Sequence, residues 1–252
     1  MGEHGEIKIK SLQKALEVLN CFAAKPSLGV TEISERLGLY KSNVHNILTT
    51  LQAMDYVEKD EGSDKYKLGM GIFALSRALG DTFSITKIAS PYMQELANIT
   101  DERVYLAIPH QDEVVYLEAM YPAESTHLMR SLLGERAQMH CTGLGKAMLA
   151  NMPQEMVETY LQRELKAFTD QSITDKEALR QELQLTKQRG YAIDNMEHEF
   201  GVKCVALPIF DKSRNLYAAM SISGSSLRFT EEQIRDWAIL MKKYIDKIEQ
   251  RL

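Results

Sequence analysis

The chain has 252 residues, 44% of them hydrophobic and 26% charged, with a formal net charge of -5. That balance is expected of a soluble, globular chain with one large domain or two ordinary ones. No apolar run approaches the roughly 20 residues that span a bilayer. The opening stretch MGEHGEIKIK lacks the apolar core of a secretion signal, so the expected location is cytoplasmic, with no membrane partner. Cys21, Cys141 and Cys204 are odd in number and form no CxxC pair, which argues against a disulfide scaffold. Residues 1–80 hold 10 Lys+Arg and 10 Asp+Glu, and residues 81–252 hold 20 and 25, so bulk charge neither supports nor excludes a nucleic-acid partner.

Ser11 is a candidate helix cap, followed by the apolar stripe Leu12, Ala15, Leu16, Leu19 and Phe22, and Pro26 lies just beyond. A second helix fits Thr31 to Leu37, with Thr31 as cap and Gly38 where a left-handed residue would turn the chain. A third starts near Lys41, with Val44, Ile47, Leu48, Leu51 and Met54 as its buried seam. Two helices joined by a turn of about three residues containing Gly make a helix-turn-helix pattern. Tyr56–Lys59 and Lys65–Leu68, flanking Asp60–Asp64, read as a hairpin. A winged helix-turn-helix therefore spans residues 1–68.

From residue 69 to 89 the spacing of Ile72, Leu75, Leu79, Ile85 and Ile88 predicts a linker helix, and Pro91 is placed to open the next one. Residues 90–252 alternate strands and helices. Strands are expected at 104–110, 113–120, 202–210 and 215–224, and helices at 143–150, 153–165, 175–189 and 230–251. Antiparallel hairpins with helices on their faces predict an α+β sensor-like domain.

The third helix carries Lys41, Ser42, Asn43, His45, Asn46 and Thr49 on the face opposite its seam. Small polar side chains suit base edges and phosphates in a major groove, and Lys suits phosphate charge. Lys65 and Lys67 lie where a wing reaches the DNA backbone. The competing interpretation is a small helical module that joins proteins, with these polar side chains simply solvated.

Four stretches in order resemble the IclR family of transcriptional regulators: VTEISERLGLYKSNVHNILTTLQAMDYV, KYKLGMGIFALSRAL, HCTGLGKAMLA, and GYAIDNMEHEFGVKCVALPIFD followed by AAMSISG. The resemblance covers essentially the whole chain. It implies an N-terminal winged DNA-binding domain, a C-terminal effector domain of GAF-like topology, double-stranded operator DNA as partner, and a homodimer or a dimer of dimers. Tyr40 stands where the family commonly has Ser or Pro, and Asn46 where it commonly has Arg. The first weakens the helix cap or passes it to Ser42, and the second removes a phosphate-reaching charge.

Gly143 and Gly145 flank a helix start, which reads either as an anion site built from exposed N–H groups or as a tight turn. The resemblance favours the first and implies a small organic acid effector, a sugar acid or keto acid. The matching positions are Gly143, Leu144, Asp194, Cys204, Ser221 and Ser223, with Leu128 as an apolar wall. Leu144 is larger than the residue some relatives carry. Independently of the resemblance, Ser221 and Ser223 are two apart in a strand and share one face, and each hydroxyl can donate to a carboxylate. Asp194 can accept from a hydroxyl or cap a loop. Cys204 reads as a small buried wall rather than a nucleophile.

His127, His140, Cys141, His198 and Cys204 match no zinc-ligand spacing, so no metal and no cofactor is expected. Nothing gathers a His and a carboxylate around Cys204 or Ser221, so no enzyme is expected.

Overall fold

The computed structural model describes residues 7–60, 62–80, 84–123 and 132–252. The chain divides into two units, Met1–Phe83 and Ser84–Leu252.

The first unit contains α1 (Lys10–Ala24), β1 (Leu28–Gly29), α2 (Val30–Leu37), α3 (Lys41–Ala53), β2 (Val57–Lys59), β3 (Lys65–Leu68) and α4 (Met70–Gly80). Val18, Cys21, Phe22, Leu28, Ile33, Val44, Leu48, Leu51, Val57 and Tyr66 form its core. The α2–α3 turn rests on Gly38, whose φ of 64° is the left-handed conformation that a side chain disfavours. Its N–H donates to the Ser34 carbonyl, and the Ser34 hydroxyl donates to the Leu39 carbonyl at 2.6 Å.

Several local expectations shift. Helix α1 begins at Lys10, with Ile9 rather than Ser11 at the cap position. Leu12 and Leu16 are half exposed because the buried side of α1 runs through Val18, Cys21 and Phe22 instead. Thr31 lies inside α2. The cap residue is Gly29, whose N–H donates to Glu32 Oε2 at 2.8 Å. Met54 ends α3 and is exposed rather than buried. The hairpin β2–β3 gains a third strand, β1, giving the order β1-β3-β2.

The second unit contains α5 (Ser84–Thr100), β4 (Arg103–His110), β5 (Glu113–Met120), β6 (Arg136–Gln138), α6 (Gly143–Leu149), α7 (Gln154–Leu161), α8 (Lys176–Arg189), β7 (Ala192–Asn195), β8 (Val202–Phe210), β9 (Leu216–Ser225) and α9 (Glu231–Glu249). Pro91 falls inside α5 rather than at a helix start. Ile85 and Ala89, upstream of it, are fully buried in the core of this unit. The unit thus begins at Ser84, six residues before the expected boundary. The expected 69–89 linker comprises α4 and the start of α5; residues 81–83 lie outside the described residues.

The six strands form one antiparallel sheet in the order β6-β5-β4-β9-β8-β7. Alternation divides its side chains between two cores. Val104, Leu106, Val205, Leu207, Met220 and Ile222 pack with residues of α5 and α9. Tyr105, Ala107, Ala192, Ala206 and Ala219 pack with residues of α6, α7 and α8. The small alanines on the second face let α6 approach β7, β8 and β9 closely. Among the described residues no helix is long and apolar enough to cross a membrane.

Candidate functional site

Each unit carries its own candidate site. On α3 the seam faces inward as its spacing requires: Val44, Leu48 and Leu51 are buried and Ile47 is half-buried. Lys41, Ser42, Asn43, His45, Asn46 and Thr49 are all exposed. The Thr49 hydroxyl donates to the His45 carbonyl at 2.9 Å, which leaves its methyl and a lone pair facing outward. Tyr40 precedes α3 without capping it, and its ring is 82% exposed. It thus adds an aromatic group beside Lys41 that the sequence reading treated only as a weak cap.

The wing cations have local carboxylates. Lys67 pairs with Glu58 at 2.9 Å across the β2–β3 ladder. Lys65 stands 3.7 Å from Glu32. The Lys25 ammonium and the Gly29 N–H hold the Glu32 carboxyl down to about 2. A phosphate reaching Lys65 or Lys67 therefore competes with an existing partner.

In the second unit the register brings the remaining predicted residues together. Asp194 pairs with Cys204, and Cys204 with Ser223, in one row across β7, β8 and β9. The next row pairs Ala192 with Ala206 and Ala206 with Ser221. All these side chains face α6. Gly143 opens that helix directly above the first row. A Cβ there would lie 2.6 Å from Cys204 Sγ and 3.4 Å from Ala206 Cβ, so only glycine permits the approach. A Cβ on Gly145 would collide with the Met139 backbone. Thr142 caps α6 by accepting the Gly145 N–H at 3.1 Å, and the Gly143 N–H is directed at Cys204. The two glycines thus serve close packing, and the helix start is already bonded to its own cap and to a thiol. Leu144 is buried.

Electrostatics sort these groups. Burial first, and the Asp194 charge second, push the Cys204 thiol up to about 12, so it stays protonated and is no nucleophile. The Ser223 hydroxyl is hydrogen-bonded to that sulfur. Burial raises the Asp194 carboxyl to about 7, opposed by its hydrogen bond from the backbone of Glu197. That bond, to Asp194 Oδ1, measures 2.8 Å. The Ser221 hydroxyl differs from the rest, being 1% exposed and without a hydrogen-bond partner.

Two charged residues were missed by the sequence reading. Lys146, on α6, is 1% exposed and binds Glu197 at 2.5 Å. A lysine inside the otherwise apolar GLGKAMLA was the available signal. The other oxygen of Glu197, Oε2, has no partner. Tyr105 and Tyr116 also line this side of the sheet, edge to face at 5.6 Å. Leu128 and His127 lie outside the described residues. Of the weighed metal ligands, His140 has both ring nitrogens engaged, one by the Tyr160 hydroxyl and one by the Lys166 carbonyl, each at 2.9 Å. Cys141 Sγ lies 3.7 Å from His198 Nδ1. Among the described residues no group of three or more candidate ligands converges.

Residues 11–61 match the IclR helix-turn-helix domain, and residues 78–250 match the C-terminal domain of the bacterial transcriptional regulator IclR. The chain belongs to the IclR family. It is 31% identical over 248 residues to the HTH-type transcriptional regulator KdgR of Escherichia coli, spanning 97% of this chain and 93% of that one. It is 30% identical over 242 residues to the transcriptional repressor IclR of the same organism, spanning 94% and 87%. The crystal structure of Thermotoga maritima IclR superposes with a TM-score of 0.81 at 31% identity, over 96% of this chain and 98% of that one. As an IclR-family member the protein is a DNA-binding transcriptional regulator with a C-terminal ligand-binding domain, and its relatives are regulators rather than enzymes. The curled sheet and its flanking helices agree with the GAF-like topology expected of that domain.

Proposed function

We propose that this regulator binds a small hydroxylated or keto carboxylate, of the sugar-acid or keto-acid class, on the α6-facing side of its sheet. The observation that carries this reading is the Ser221 hydroxyl. It is withdrawn from water with no partner, beside the row Asp194, Cys204 and Ser223. A buried hydroxyl without a partner is costly in the free protein, and a carboxylate oxygen satisfies it. Ser223 supplies a second donor to the acid, and Asp194 meets a hydroxyl on its tail. Leu144 and Gly143 close the pocket from above.

In the same proposal Lys41, Ser42, Asn43, His45, Asn46 and Thr49 contact operator DNA, with Lys65 and Lys67 on its backbone. The protein acts in the cytoplasm as a homodimer, or a dimer of dimers, on a roughly palindromic site, because two-fold symmetry calls for two related half-sites. Residues 1–68 bind DNA, 69–89 link, and the remainder binds the effector.

The test is calorimetric titration of the full-length protein with D-gluconate, pyruvate and glyoxylate. Wild type binds at least one of them. The pair Ser221→Ala, Ser223→Ala loses roughly two orders of magnitude in affinity, since each hydrogen bond to a charged group contributes about 1.5–3 kcal/mol. Unchanged affinity in that pair places the acid elsewhere.

A further inference from the structure

We propose that Tyr40 reads a thymine methyl group in the operator, as the apolar member of a DNA-reading face that is otherwise polar. This inference rests on the reading above that the outer face of α3 contacts operator DNA. It adds a residue and a base preference to that face.

The backbone on both sides of Tyr40 is fixed. The Leu39 N–H donates to the Ser34 carbonyl at 3.1 Å, and the Leu39 carbonyl accepts the Ser34 hydroxyl. The Tyr40 carbonyl accepts the N–H groups of Asn43 and Val44 at 3.0 and 3.1 Å, which starts the first turn of α3. Leu39 packs against the core of the unit. Tyr40, in extended backbone with φ -64° and ψ 139°, turns the other way and is 82% exposed. Its side chain makes no cap hydrogen bond to the helix. Only the torsions of the ring remain free, so holding it against a partner costs little entropy.

An aromatic ring kept in water at such a place forgoes free energy that burial recovers. The neighbouring surface points to what buries it. Lys41, Ser42 and Asn43 follow directly, all exposed, and the first turn of α3 carries no acidic side chain. A carboxylate stands beside each of the wing cations Lys59, Lys65 and Lys67. An anionic duplex therefore meets less repulsion at the start of α3 than at the wing.

Residues at the start of a recognition helix reach the base edges. The Lys, Ser, Asn and His side chains of this face answer the donors and acceptors on those edges. The major groove also offers one apolar group, the thymine C5 methyl, which calls for an apolar partner. The Tyr40 ring supplies it. The contact belongs to the ring rather than to its hydroxyl, so Tyr40→Phe retains it and Tyr40→Ala loses it.

The test starts from a random duplex pool, from which full-length wild type enriches its own site. Each thymine of that site is then replaced in turn by deoxyuridine, which pairs as thymidine does but lacks the methyl. Fluorescence anisotropy measures binding by wild type, Tyr40→Ala, Tyr40→Phe and the double variant Lys41→Ala, Asn43→Ala. At one thymine the replacement should cost wild type and Tyr40→Phe about fourfold in affinity, the worth of one methyl withdrawn from water. The same replacement should cost Tyr40→Ala nothing further, because the partner of the methyl is already gone. The inference is overturned if no thymine distinguishes wild type from Tyr40→Ala, or if wild type enriches no site with a thymine in it. It is overturned also if Tyr40→Phe behaves as Tyr40→Ala does, since the contact then belongs to the hydroxyl. Any of these results, with binding weakened in the double variant, leaves the α3 reading standing. Undiminished binding by the double variant removes that reading, and this inference with it.

Discussion

Lys146 and Glu197 form an ion pair at 2.5 Å in which neither side chain is more than 5% exposed. The pair ties α6 to the turn after β7. Glu197 Oε1 also accepts the Asn195 N–H at 3.2 Å, and Glu182 stands 3.7 Å from the same ammonium. The rows on β7 and β8 that face α6, and the helix itself, are thus held by one buried charge pair.

Removing one partner of that pair is the most destabilising change expected here. Lys146→Met leaves a buried carboxylate without its cation, which costs about 3–5 kcal/mol. Lys146→Met with Glu197→Leu recovers most of the loss, because an apolar pair of similar volume replaces the ions. Urea denaturation of the three proteins measures both effects. A single variant within about 1 kcal/mol of wild type would show that the pair contributes little.

Asp194 makes stability depend on pH. Its carboxyl is raised from 3.8 to about 7 in the folded chain, chiefly by burial. The folded state therefore keeps a proton that the unfolded chain releases. The associated stability is present below about pH 4 and is lost as pH rises through about 7. Asp194→Asn removes this contribution, so its melting temperature should fall less than that of wild type across the same window. Parallel melting curves in the two proteins, followed by circular dichroism, would contradict the assignment.

Gly145→Ala should destabilise by about 1–3 kcal/mol, the range for overpacking a dense core. The added methyl meets the Met139 backbone, which cannot rotate away as a side chain can. Chemical denaturation reads the cost directly. Gly38→Ala, at φ 64° with open space around its Cβ, tests the other glycine requirement, a backbone conformation rather than room.

On α3, Lys41→Ala with Asn43→Ala should weaken binding to the promoter region of the protein's own gene while leaving its circular dichroism unchanged, since both side chains are exposed. Loss of a base contact is worth about 1–3 kcal/mol, and loss of a phosphate contact lowers the salt slope by about 1. Gel shifts at two salt concentrations separate the two contributions. Undiminished binding would move the recognition surface off this helix.

Much of this was legible in the sequence wherever a single segment carried its own signal. Glu113–Met120 and Val202–Phe210 form strands over the spans that their β-branched and aromatic content predicts. Gly38 turns the chain as its position after Leu37 requires. Ser221 and Ser223 share a face because strand parity is local. The strands β1, β6 and β7 were not legible, since two to four residues are too few to establish a period. The partners Lys146 and Glu197 are 51 residues apart, and nothing in either neighbourhood names the other.

That strand order has a consequence for how the protein is made. The two central strands, β4 and β9, come from opposite ends of the second unit, and Tyr105 waits for Ser221 before its row exists. During synthesis the first unit has all the strands and helices of its described residues by residue 80, so it can fold while the sheet of the second is still missing its middle. Pairing so distant in sequence is slow to close, and domains emerging from the ribosome tend to fold in order. A ribosome paused before residue 216 therefore carries a chain with a finished DNA-reading module and an incomplete ligand-binding domain. Premature termination there would yield a fragment whose grip on DNA no ligand can adjust.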